Sequence, residues 1–248
     1  MLRDYPVPSV PLSIPGGGSS VSIGLPIRLE TPPPPSYPYA CCSATALEFG
    51  GHLDRDTLLQ FEPIIPLLRK TIGSKRFFHS LGAMHYAVVL AGRHGEDLVR
   101  AATAGLLHDG GRLPEIEQVE AECRRRGLDV PAEDRPYAKV WHALLSTHIA
   151  AHDFGLADPA VLQAILRHPT GEADMSRLDK IIFLADYLEP TRRFEEAKEL
   201  RELAGRDLDG AYRRALETKI RHIQSRGRPL HPRSLRALAS AGISLAGS

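Results

Sequence analysis

From about residue 56 onward, apolar residues recur at intervals of three and four, and no stretch alternates apolar with polar long enough to form a strand. That periodicity confines the chain to helices packed on helices, an all-α fold. It predicts helices over 75–93, 97–108, 115–126, 146–154, 158–168, 176–188, 195–204 and 207–226, after an earlier one near 58–68 with Pro63 at a turn or kink. Asp158-Pro159 is a strong helix start, with Asp as N-cap and Pro at the first helical position. The stretch before this region differs. Ten of the 20 prolines precede residue 40, in words such as "TPPPPSYP", beside the glycines of "PGGGSS". Residues 1–55 therefore read as a disordered Pro/Gly-rich extension, or as an overextended gene start, because no methionine occurs between Met1 and Met84. Residues 56–240 read as one helical domain.

The remaining totals mostly exclude. A net charge of +1 gives no global signature for nucleic acid or membrane. No apolar run approaches the roughly 18 residues of a membrane span. Three cysteines, with Cys41 and Cys42 adjacent, offer neither a disulfide framework nor metal-binding CxxC spacing, so a reducing cytoplasmic setting is the expectation. Phosphate-loop and nucleophile-elbow motifs are missing, and "PGGGSS" lacks the strand-then-helix context of a dinucleotide site. Cys123, beside Arg124 to Arg126, reads as an ordinary surface residue.

Chemistry enters through "AGLLHDGGRLPE", residues 104–115, where an apolar helix ends in His108-Asp109 and breaks on two glycines. Such an ending is either a turn after a core helix or a metal or acid–base site. Helical spacing puts His108 and Asp109 two turns beyond Ala101 and Ala102, next to the buried face, with small Gly105 between. Asp186 follows Leu178 and Ile182, and His168 follows Val161 and Ile165, again on apolar stripes. A carboxylate on an apolar face is costly unless paired or bound to metal. His79 and His142 lie in "KRFFHSLGAMH" and "VWHALLSTH"; His148 and His152, four apart, look like a helix surface.

The order His79, His108-Asp109, His142, His168, Asp186 resembles the signature of the HD superfamily of metal-dependent phosphohydrolases. "KRFFHSLG", "AGLLHDGGR", "ILRHPTG", "KIIFLADYLEPTRR", "LAGRDLDGAYRRAL" and "RGRPLHPRSL" narrow the likeness to the YqeK-type family, symmetrical diadenosine tetraphosphate hydrolases that yield two ADP. The resemblance runs from about residue 57 to 236. It implies an HD-domain helical bundle with His79, His108, Asp109 and Asp186 as metal ligands. Their mixed imidazole and carboxylate donors suit iron, or manganese, better than structural zinc. One ion is favoured over two. Asp109 and His108 would serve catalysis. Asp109 would bind metal with one oxygen and orient the attacking water with the other.

Substrate contacts follow by the same likeness. His142 and His168 would touch phosphate, or hold a second ion, with Pro169 beside them. Arg76 and Arg192 match nucleotide-contacting positions, as does the stretch Pro229, Leu230, His231, Pro232, Arg233 and Ser234. Residues 191–236 carry thirteen Lys or Arg against seven Asp or Glu, a local excess that would attract a polyanion. Gly110, Gly111 and Arg112 would contact substrate as well, with one departure: the family has lysine where this chain has Arg112, after Gly110 and Gly111 in place of bulkier residues. Arginine can bind phosphate but cannot give up a proton, and the two glycines are expected to loosen the loop. The reading is thus metal-dependent hydrolysis of dinucleoside polyphosphate. The alternatives are an HD phosphohydrolase for another nucleotide, or a catalytically weak nucleotide sensor. Oligomeric state stays open, a homodimer being one option.

Overall fold

A computed structural model describes residues 53–244, so most of the expected N-terminal extension lies outside the described residues. Its inner edge does not: Asp54 caps a helix that begins at Arg55, one residue before the expected boundary. The described residues form helices only. In chain order these are α1 Arg55–Leu59, α2 Ile64–His94, α3 Leu98–Leu107, α4 Ile116–Arg125, α5 Trp141–His152, α6 Pro159–Arg167, α7 Arg177–Leu188, α8 Ala197–Ala204, α9 Leu208–Ser225 and α10 Pro232–Ser240. None of them is long and apolar enough to cross a membrane.

Capping chemistry explains many of the starts. Asp97, Asp158, Ser176 and Asp207 each turn a side-chain oxygen onto backbone N–H groups of the following turn. Ser176 and Asp179 do so reciprocally. Helix α2 is nearly continuous, but Gly73 adopts φ 75° and ψ 163° and kinks it, so the helix expected over 75–93 is its second arm. Two expectations are corrected here. Helix α5 starts at Trp141 rather than 146, which brings His142 into its first turn. Helix α10 was not foreseen, because "PLHPRS" reads as irregular until His231 caps it and Pro232 takes the first helical position.

Helix α3 is the axle. All its residues from Ala101 to Leu107 are buried, and it packs against α2, α5, α6 and α7. Its alanines and Gly105 permit that crowding. A Cβ on Gly105 would fall 2.8 Å from the Cα of Met84, inside van der Waals contact. Phe183, Leu90, Leu106, Ile165 and Ile182 fill the centre. Burying each such side chain stabilises by about 2 kcal/mol. Cys123 belongs to a second small cluster with Val119, Leu145 and Ile149, correcting its expected surface position. Burial pushes its thiol pKa up, away from a reactive thiolate.

Candidate metal centre

The bundle delivers six residues to one place. His79 comes from the middle of α2, His108 and Asp109 from the end of α3, and His142 from the start of α5. His168 caps the end of α6, and Asp186 lies in the last turn of α7. His108, Asp109 and His168 are entirely buried.

One hydrogen-bonding habit orients the rings. The Nδ1 of His108, His142 and His168 each lies 2.7 Å from the carbonyl three residues earlier, of Gly105, Lys139 and Ile165. His79 Nδ1 lies 3.1 Å from Glu189 Oε1. An Nδ1 that donates in this way leaves Nε2 of a neutral ring as a bare lone pair. All four Nε2 atoms point inward: those of His79 and His108 are 3.1 Å apart, those of His142 and His168 3.2 Å apart.

Asp109 joins the two pairs. Its Oδ2 faces His79 and His108 at 3.7 and 3.8 Å, and its Oδ1 faces His142 and His168 at 3.3 and 3.7 Å. Asp186 Oδ1 completes the first group, 3.2 Å from His79 Nε2 and 3.8 Å from His108 Nε2. Donors held at about 2 Å from one ion stand roughly 3–3.5 Å from one another, so the cluster of His79, His108 and Asp109 is compatible with a divalent metal, and Asp186 stands beside its two histidines. Asp109 Oδ1 is buried with no hydrogen-bond partner, a costly state for a carboxylate and one that a cation or a bound water would relieve.

Electrostatics agree with this reading. Burial alone would raise the Asp109 carboxyl pKa, but the Arg112 guanidinium, and His108, His142 or His168 whenever one of them carries a proton, hold it below the usual range. Burial likewise works against Asp186, and the His79 hydrogen bond and the charge of Lys219 overcome it. Burial pushes His142 down to about 4 and His108 and His168 down as well, keeping them neutral. His79 is the exception. Burial would lower it, yet its hydrogen bonds to Asp186 and Glu189 raise it. A metal ion binding there takes the place of a proton.

Three arginines surround the carboxylates. Arg76 reaches Asp109 Oδ2 at 3.3 Å, Arg112 reaches Asp109 Oδ1 at 3.5 Å, and Arg192 reaches Asp186 Oδ1 at 3.0 Å. Each is between 37% and 39% exposed, so each can turn from its carboxylate towards another anion.

The structure corrects the expected loosening at Gly110 and Gly111. Both are buried, neither has a positive φ, and a Cβ on Gly111 would lie 2.6 Å from Ser146 N. The Gly111 amide is already taken by Ser146 Oγ at 2.8 Å. These glycines let the turn after Asp109 press against α5. The stretch 229–234 is held by partners outside the histidine cluster, one of them two residues from His168. His231 and Arg233 bond to Asp134 at 2.9 and 2.7 Å, Ser234 to the Thr170 carbonyl at 2.9 Å, and the Leu230 carbonyl accepts from Tyr137. Pro169 is half-buried next to His168. His148 and His152 stack with ring centroids 4.2 Å apart, a half-buried residue against an exposed one on α5.

Two contributors escaped the sequence reading. Glu189 holds His79 and is itself fixed by the amide and hydroxyl of Thr191, and the proline following it in "LEPT" was the available hint. Lys219, from α9, lays its ammonium 4.6 Å from the Phe183 ring centroid and acts on Asp186. No local signal marks it.

A helical bundle with a buried His, His-Asp, His, His, Asp constellation is the arrangement of the HD domain, and the model of that domain matches residues 76–191. The chain is 31% identical over 173 residues to the symmetrical bis(5'-nucleosyl)-tetraphosphatase of Halalkalibacterium halodurans, covering 69% of this chain and 91% of that one. It is 28% identical over 171 residues to the enzyme of the same name from Bacillus subtilis, with the same coverage. A crystal structure of an HD superfamily hydrolase from Clostridium acetobutylicum, described as involved in NAD metabolism, superposes with a TM-score of 0.69 at 36% identity, over 73% of this chain and 96% of that one. The chain belongs to the HD-domain family that contains these symmetrical tetraphosphatases.

Proposed function

We propose that this chain hydrolyses dinucleoside tetraphosphates symmetrically, converting diadenosine tetraphosphate to two ADP. It would do so with one divalent metal, iron or else manganese, held by His79, His108, Asp109 and Asp186. The observation that carries the reading is the convergence of inward Nε2 lone pairs and two carboxylates at Asp109. The names of the relatives support the substrate class. When bound, the metal supplies Lewis acidity, polarising a phosphoryl oxygen and acidifying water.

The protein's own groups do the rest. Asp109 Oδ1, buried and without a hydrogen bond, would accept a proton from the attacking water. Arg76, Arg112 and Arg192 exchange their carboxylate contacts for phosphate oxygens and balance charge on the phosphoryl group and on the departing diphosphate. Arg112 contributes charge and two-pronged binding but no proton, so the departing diphosphate leaves as its anion with the arginines balancing its charge. His142 and His168 meet phosphate through Nε2 once the arriving anion draws a proton onto them. A second reading rests on the matching triad of Asp109, His142 and His168, which could hold a second ion.

The test is metal dependence. Chelated protein should be inactive, and ferrous iron or manganese should restore ADP release at one ion per chain. Two ions per chain would favour the second reading. Full activity after chelation, or in Asp109→Ala, would contradict the assignment.

A further inference from the structure

A cavity of about 460 Å³ opens beside the cluster, between the Gly73 kink of α2, the turn after Asp109 and the start of α5. Its chemistry is divided. His142, Arg76 and Arg112 stand at the end that meets Asp109, and Lys75 and Lys139 add two exposed cations. Leu113, Ile116 and Val119 form an apolar wall, and no acidic residue lines the space. Lys75 and Lys139 meet no acidic residue in the lining, and Arg76 and Arg112 share the single Asp109 carboxylate at its edge, so the surplus positive charge calls for a polyanion. An apolar wall adjoining them calls for a flat or aliphatic body attached to that polyanion, and the volume falls in the range of small-molecule sites. The kink makes the room: with φ 75°, Gly73 swings the first arm of α2 aside, and no atom lies within 4 Å of where its Cβ would be.

We propose that this cavity binds one nucleoside diphosphate moiety. Its phosphates face Arg76, Arg112 and Lys139, and its base lies against Leu113, Ile116 and Val119. On the proposed function, on which this placement rests, the moiety is one half of the dinucleotide. Ile116 then becomes a specificity residue, because it reaches the base, remote from the broken bond, while Lys139 binds phosphate. Both are exposed at the surface, so replacing them leaves the core untouched.

The test compares ADP with inorganic pyrophosphate in calorimetric titrations of the full chain, with unfolding midpoints as a check on folding. Wild type should bind ADP more tightly than pyrophosphate. Ile116→Ser should weaken ADP at least fivefold and change pyrophosphate less than twofold. Lys139→Met should weaken both at least threefold. Equal binding of the two ligands by wild type, or an unchanged ADP affinity in Ile116→Ser, would overturn the proposal. Loss of ADP binding in Ile116→Ser by a chain that fails to cleave the dinucleotide would keep this site and refute the proposed reaction. Cleavage that is normal in a variant with unchanged ADP binding would do the reverse.

Discussion

His79 presents Nδ1 to Glu189 Oε1 at 3.1 Å while its Nε2 stands 3.2 Å from Asp186 Oδ1, so one carboxylate orients the ring and the other shares its function. Glu189 is 1% exposed and touches no other histidine of the cluster, which makes it a positioning residue. Carboxylates that fix a ligating imidazole typically contribute about 10–100-fold to metal affinity. Glu189→Ala should therefore weaken metal retention by that order while leaving the set of bound donors intact. Metal content after dialysis against graded chelator would show it; retention equal to wild type would contradict the role.

Gly111 answers to packing. A Cβ there meets Ser146 N at 2.6 Å and Leu145 Cβ at 2.7 Å, both on a helix that cannot easily give way. Overpacking of this kind costs about 1–3 kcal/mol. Gly111→Ala should lower unfolding stability by about 2 kcal/mol in urea titration, whereas Gly110→Ala, whose nearest approach is 3.2 Å, should cost less. Equal stabilities for the two variants would contradict the close approach of turn and helix.

The buried histidines set a pH dependence for the metal-free protein. His142 falls from 6.5 to about 4, and His108 and His168 fall too, so between these values the unfolded chain binds protons that the folded one refuses. Stability then drops as pH falls through that window. His79 has the opposite sign: its raised pKa adds stability that is fully present below 6.5 and lost as pH climbs through the raised value. Below 6.5 His79 is protonated in the folded and the unfolded chain alike, so the three lowered rings set the slope there. The melting temperature of chelated protein should decline from pH 6.5 towards 4, and His142→Gln should flatten the decline. A rise over the same range would contradict the neutral assignment of these rings.

Much of the candidate site was readable in sequence because His108, Asp109, His168 and Asp186 end apolar stripes. A helix that buries Val161 and Ile165 must turn His168 inward, and one that buries Leu178 and Ile182 brings Asp186 to the same side. What stayed hidden depends on other parts of the chain. Gly111 is small because of Leu145 and Ser146, over thirty positions away, and no local pattern records that approach. Lys219 acts on Asp186 from α9, and helix α10 is held by Asp134 through His231 and Arg233. The early start of α5 follows a 3-10 turn over Ala138–Val140 in a stretch without periodic apolar residues.

The most direct measurement is the identity of the products. Purified protein, reconstituted anaerobically with ferrous iron or manganese, is given diadenosine tetraphosphate, and its nucleotides are resolved over time. A centre built on Asp109 that grips both halves of the substrate predicts ADP alone. ATP together with AMP would place the attack at another phosphorus and contradict the account.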